Sequence, residues 1–173
     1  YRLQYLGLIV RPLQQDYSWN DVKVRHLPAK KIVAFRYEGD VNLPKGYFKW
    51  QQLTGSSSAH DVSMVGRTPD QPGITPLQKL RWDTALLADS LPLQLRQELK
   101  QEQLLLEDTL PSGKYLVVPF SGFGRPFTAH LPHILAYLRN QGLELSLTGC
   151  FFQELRQHAP GSGCLTDLYI PIR

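Results

Sequence analysis

With 173 residues, 42% of them hydrophobic and 20% charged, the chain fits one globular domain or a compact pair of fused repeats. No apolar run approaches the roughly 18 residues of a membrane span, and Tyr1-Arg2-Leu3-Gln4 lacks a signal peptide's layout, so the expectation is a cytoplasmic protein with no membrane partner. A net charge of +4 carried by scattered Lys and Arg argues against nucleic-acid binding by this segment itself, and two cysteines argue against a disulfide scaffold.

Residues 1–20 mix apolar positions with Pro12, Gln14, Gln15 and Asp16 and read as the end of something followed by a connector. Val22 to Leu27 alternates as a half-buried strand should. It runs into Leu27-Pro-Ala-Lys-Lys-Ile-Val-Ala-Phe-Arg-Tyr-Glu-Gly39, where Val33, Phe35 and Tyr37 share one face and Ile32, Ala34 and Arg36 the other. Tyr47, Trp50 and Leu53 recur at helical spacing, and Gly55-Ser-Ser-Ser58 ends that helix. Val62 to Gly66 is a strand candidate, Thr68 to Gly73 a Pro- and Gly-rich loop, and Leu80 to Leu87 a strand. Leu91 to Gln103 holds a short bridging helix.

The chain then repeats itself. Leu110-Pro-Ser-Gly-Lys-Tyr-Leu-Val-Val-Pro-Phe-Ser-Gly122 matches Leu27–Gly39 without a gap, pairing Leu27 with Leu110, Pro28 with Pro111, Lys31 with Lys114, Tyr37 with Phe120 and Gly39 with Gly122 at one constant interval. A helical stripe of Phe127, Leu131, Ile134, Leu135 and Leu138 follows, held to start near Pro132 and capped near Gly142. Leu143 to Arg156 carries one or two strands, His158 to Gly163 a loop, and Leu165 to Ile172 the closing strand. Trp82-Asp83 and Thr166-Asp167 fall at matching points of the two closing strands. The expected fold is α+β: duplicated strand-helix-strand-strand units, about 21–90 and 104–173, forming a curved antiparallel sheet with helices on one side.

Thr68-Pro-Asp70, Thr75-Pro76 and Leu80-Arg-Trp-Asp83, then Leu110-Pro-Ser-Gly-Lys-Tyr115, then Asp167-Leu-Tyr-Ile-Pro-Ile172, resemble in order and spacing the signatures of the GyrI-like (gyrase-inhibitor-like) effector-binding family. Tyr1-Arg2, an apolar stretch and Arg11-Pro12 resemble the exit from the DNA-binding module of AraC/XylS-type regulators. The resemblance implies a non-catalytic sensor without cofactor. Residues 1–20 would be the linker from a missing helix-turn-helix module, the only route to DNA, and residues 21–173 one domain binding a small amphipathic or aromatic ligand in a cleft between the repeats.

Many members of that family place a buried Glu two residues after the Cys of a Cys-Phe-Glu-x-Tyr strand, where it neutralises cationic lipophilic ligands. Here Cys150-Phe-Phe-Gln-Glu154 puts Phe152 at that point. Alternation gives Glu154 the face of Cys150 and Phe152, so it either supplies the charge from two positions on or sits at the solvated strand end beside Arg156. The expected ligand wall is Tyr37, Tyr47, Trp50, Trp82, Phe120, Phe123, Phe152, Glu154 and Tyr169, a minority of whose rings line the pocket while the others fill the core.

Asp83 and Asp167, at equivalent places, read as symmetric structural acids that hydrogen-bond turn N–H groups. His130 and His133 are three apart but lack a third ligand with metal-site spacing, so no metal is expected. Cys150 and Cys164 read as core thiols, able to bridge only if the last two strands are adjacent. Two other functions compete: a small-molecule hydrolase using Glu154 with Tyr169 or Asp167, and a stand-alone protein-binding module.

Overall fold

Eight antiparallel strands make one sheet in the computed structural model, which describes residues 19–38, 49–50, 52, 63–70, 75–91, 97, 99, 105–121, 131–159 and 163–173. They are β1 (Lys23–Leu27), β2 (Lys30–Glu38), β3 (Met64–Thr68), β4 (Arg81–Leu87), β5 (Leu105–Leu110), β6 (Gly113–Ser121), β7 (Phe151–Ala159) and β8 (Gly163–Ile172). The helix α1 (Leu131–Asn140) follows β6, and Lys49, Trp50, Gln52, Gln97 and Leu99 are also helical.

Across the sheet the strands run β1-β6-β8-β7-β3-β4-β2-β5, so each half has given its first strand to the other. β1 precedes β2 by only Pro28 and Ala29, yet pairs with β6; β5 precedes β6 by Pro111 and Ser112, yet pairs with β2. The linkers explain the exchange. A two-residue hairpin needs positive φ at its first position, and proline is fixed near −65°. Each Pro therefore carries its chain on to the far edge instead of folding it back.

The registers of the two halves superimpose. Arg36 pairs with Asp83 as Pro119 pairs with Asp167, Arg67 with Asp83 as Glu154 with Asp167, and Ile32 with Asp108 as Tyr115 with Arg25. At the centre β3 pairs with β7, its own counterpart, with Gly66 opposite Gln153. An approximate twofold axis therefore passes through that pair.

One face of the sheet carries the helices. In the second half Ile134 and Leu138 of α1 pack on Trp82, Leu116, Val118, Phe120, Phe151, Leu168 and Ile170. Pro132 sits in the first turn of α1, where its missing N–H has no intrahelical partner to lose. Gly142, at φ 64°, ends the helix: its N–H donates to Arg139 O at 3.1 Å and that of Leu143 to Leu138 O at 2.8 Å, a Schellman closure. In the first half Trp50 and Leu99 cover Val33, Phe35, Met64 and Leu86, and the Trp50 indole donates to Thr84 O at 2.9 Å.

Some boundaries differ from expectation. β3 starts at Met64 and continues through Arg67 and Thr68, where Thr68-Pro69 signalled a loop. β7 and β8 extend to Ala159 and from Gly163, narrowing the expected loop, and Leu145 makes only an isolated bridge to Ile172. β7 and β8 are adjacent, but Cys164 pairs near the hairpin end, opposite His158, while Cys150 precedes the other end of β7. The backbone positions of the two residues are a hairpin's length apart, too far for a disulfide between them, and Cys150 is a free, buried thiol.

Candidate functional site

The face opposite α1 gathers Ile32, Ala34, Val65, Ala85, Leu110, Tyr115, Val117, Cys150, Phe152 and Tyr169 into a second apolar layer. It is the concave face. Arg67 on β3 reaches Asp108 and the carbonyl of Thr109 on β5, three strands away. A flat sheet would hold those strands about 14 Å apart, so the first half curls toward this side.

In the second half the concave face is aromatic. The Phe152 and Tyr169 rings stack at 4.3 Å and 10°, and Tyr115 meets Phe152 edge-on at 5.4 Å. All three are buried, so the rings close on one another. Tyr115 Oη donates to Pro111 O at 2.9 Å, and burial, the largest cause, pushes its phenol up to about 12. Tyr169 Oη donates to Glu154 Oε2 at 2.8 Å; burial first, then the Glu154 charge, raise the Tyr169 phenol. Glu154 is half-buried, so its carboxylate is directed by a phenol while remaining reachable. Directly opposite it stands Asp167, buried, with Oδ2 taking the Arg156 guanidinium at 2.5 Å and Oδ1 lacking a hydrogen-bond partner among the described residues. The chain entering β7 is seated tightly: a Cβ on Gly149 would come within 2.3 Å of the Pro171 Cβ.

In the first half the same face is ionic. Asp83, fully buried, accepts both Arg36 Nε and Nη2, at 2.7 and 2.9 Å, and Arg67 Nε at 2.8 Å. Arg67, itself only 3% exposed, also binds Asp108, and Arg36 lies 3.6 Å from the same carboxylate. Burial works against the Arg67 charge, but the two carboxylates outweigh it and raise its pKa. Asp108 is likewise opposed by burial and still lowered, by Arg67 and by the Thr109 N–H.

Of the expected ligand wall, Phe152, Glu154 and Tyr169 meet on the concave face. Trp50, Trp82 and Phe120 are in the helix-side core and Tyr37 is half-buried against it, so these four cannot share a hollow with the others. The alternation that put Tyr37 with Val33 and Phe35 holds, but the side that the helices occupy is a tertiary fact. Tyr47 and Phe123 lie outside the described residues, as do His130 and Phe127 of the sequence reading. Tyr115, Arg36 and Arg67 were missed; alternation with Val117 would have found Tyr115. Asp83 and Asp167 are equivalent as expected, but among the described residues Asp83 holds two arginines and Asp167 one, rather than turn N–H groups.

No family model matches the chain. A Bacillus subtilis (strain 168) protein, YosT, named as an SPbeta prophage-derived candidate transcriptional regulator, is 30% identical over 102 residues, 56% of this chain and 62% of that protein's length. The C-terminal domain of EcmrR superimposes with a TM-score of 0.60 at 9% identity, covering 91% of this chain and 98% of that domain. SAV2435 bound to tetraphenylphosphonium gives 0.53 at 14% identity over 88% and 94%, and a hydrolase from Listeria innocua 0.56 at 9% over 88% and 91%. The curved sheet of paired halves and these superpositions together show that the chain shares the fold of those structures.

Proposed function

We propose that the chain is the effector-binding domain of a transcriptional regulator, taking an amphipathic aromatic ligand, preferentially cationic, on the concave face of its second half. The observation that carries the reading is Glu154: a half-buried carboxylate, aimed by Tyr169, at the edge of the Phe152–Tyr169 stack. A carboxylate in apolar surroundings favours a paired cation, and the aromatic rings beside it add cation–π attraction. The likeness to a tetraphenylphosphonium-bound protein and the match to a candidate regulator support it. DNA would be reached through a helix-turn-helix module of the AraC/XylS type ahead of Trp19, and such a regulator works in the cytoplasm.

Tetraphenylphosphonium should raise the melting temperature; at 100 times its Kd a ligand adds about 2.7 kcal/mol. Glu154→Gln should weaken the phosphonium and spare a neutral analogue of similar shape. Equal loss of both, or no shift with either, would remove the reading.

A second reading rests on Glu154 and Asp167 standing side by side, with one Asp167 oxygen unpartnered among the described residues, in a fold shared with a hydrolase. Paired carboxylates can activate water. Turnover of an ester panel that disappears in Glu154→Gln would favour this reading over the sensor.

A further inference from the structure

On the opposite side of the sheet from Glu154, at the edge formed by β2 and β5, lies a cavity of about 490 Å³. Its apolar wall is Val33, Ala88, Leu91, Leu99 and Leu105, the outer margin of the first half's helix-side core. Around it stand Lys31, Gln97, Glu107, Asp108 and Thr109, all exposed, with the Asp108 charge already met by Arg67. Lys31 and Thr109 are directly opposite across the two strands, and so are Val33 and Glu107, which places one cation and one anion on the same stretch of rim.

We propose that this cavity is a second small-molecule site, separate from the concave face, for a neutral apolar ligand of aromatic size bearing a hydrogen-bonding end. The volume falls within the range of about 300–1,000 Å³ that small molecules fill, and is too small for a folded partner. The rim selects against net charge: an ionic guest meets a like charge as well as an opposite one, whereas Gln97 and Thr109 offer a neutral head both donors and acceptors. The apolar wall supplies the affinity by taking the ligand's body out of water.

The neutral fluorophore N-phenyl-1-naphthylamine tests this. Titrated into the protein, it should brighten along a single saturable curve. Leu105→Trp, which fills the cavity from the strand side, and Gln97→Trp, which obstructs it from an exposed position without disturbing the core, should each weaken binding about tenfold or more. Glu154→Gln and Tyr169→Phe should leave it unchanged. The proposal fails if wild type gives no saturable signal, if Gln97→Trp binds as wild type does, or if the Glu154 and Tyr169 variants abolish binding.

Discussion

The two halves of the concave face are built on one register and filled with opposite chemistry. Arg67 stands in the first half where Glu154 stands in the second, Ile32 where Tyr115 does, Val65 where Phe152 does and Ala85 where Tyr169 does. One half spends its polar side chains on each other: two arginines and two aspartates cross-link β2, β3, β4 and β5. The other presents rings and a reachable carboxylate. Backbone pairing thus survives a change of side-chain role at every one of these positions, while Asp83 and Asp167 keep theirs, because the ladder asks only for alternation and register.

The largest test of this contrast is Arg67→Met. It leaves Asp83 buried with one guanidinium instead of two, and should destabilise by about 3 kcal/mol in urea unfolding. The matching change in the other half, Glu154→Gln, should move stability little; if the two cost the same, the halves do not divide as described. Gly149→Ala should cost about 1–3 kcal/mol by driving a methyl into Pro171 just before β7 of the aromatic half. Tyr169→Phe, which removes one hydrogen bond to a carboxylate and keeps the stack, should cost about 1–2 kcal/mol and blunt the preference for cations over neutral ligands.

The smallest effect is in acid. The Asp108 pKa is lower folded than unfolded, so its contribution is complete above the ordinary carboxylate value of about 3.9 and is lost as pH falls through the folded value. Asp108→Asn should therefore narrow the stability difference between neutral and strongly acidic solution. An unchanged acid limb would mean that the exposed end of the ionic half contributes nothing.

Much of the fold was legible in the sequence. The repeat, the alternation of β2, the helix bounded by Pro132 and Gly142 and the matched aspartates follow from local rules. What local rules do not carry is which strands lie side by side. Val22 to Leu27 reads as running on into β2, and only Pro28 hints that it leaves. The ionic half was invisible for the same reason: Arg36, Arg67, Asp83 and Asp108 share no spacing, and Arg67 lies next to Thr68-Pro69, where a loop signal outweighed a two-residue extension of β3. In the candidate site, periodicity grouped Cys150, Phe152 and Glu154 correctly, yet could not tell that Trp50, Trp82 and Phe120 point to the other side.

The traded first strands have a consequence for how such a chain could arise. A single unit ending before β5 would expose the edge of β2 that β5 covers and carry a loose β1 that fits that same edge on another copy. Two such copies, meeting through their β3 strands, would satisfy every ladder seen here. The fused chain thus has the strand pairing of a homodimer in one reading frame, with an ionic clasp in one copy and an aromatic cluster in the other.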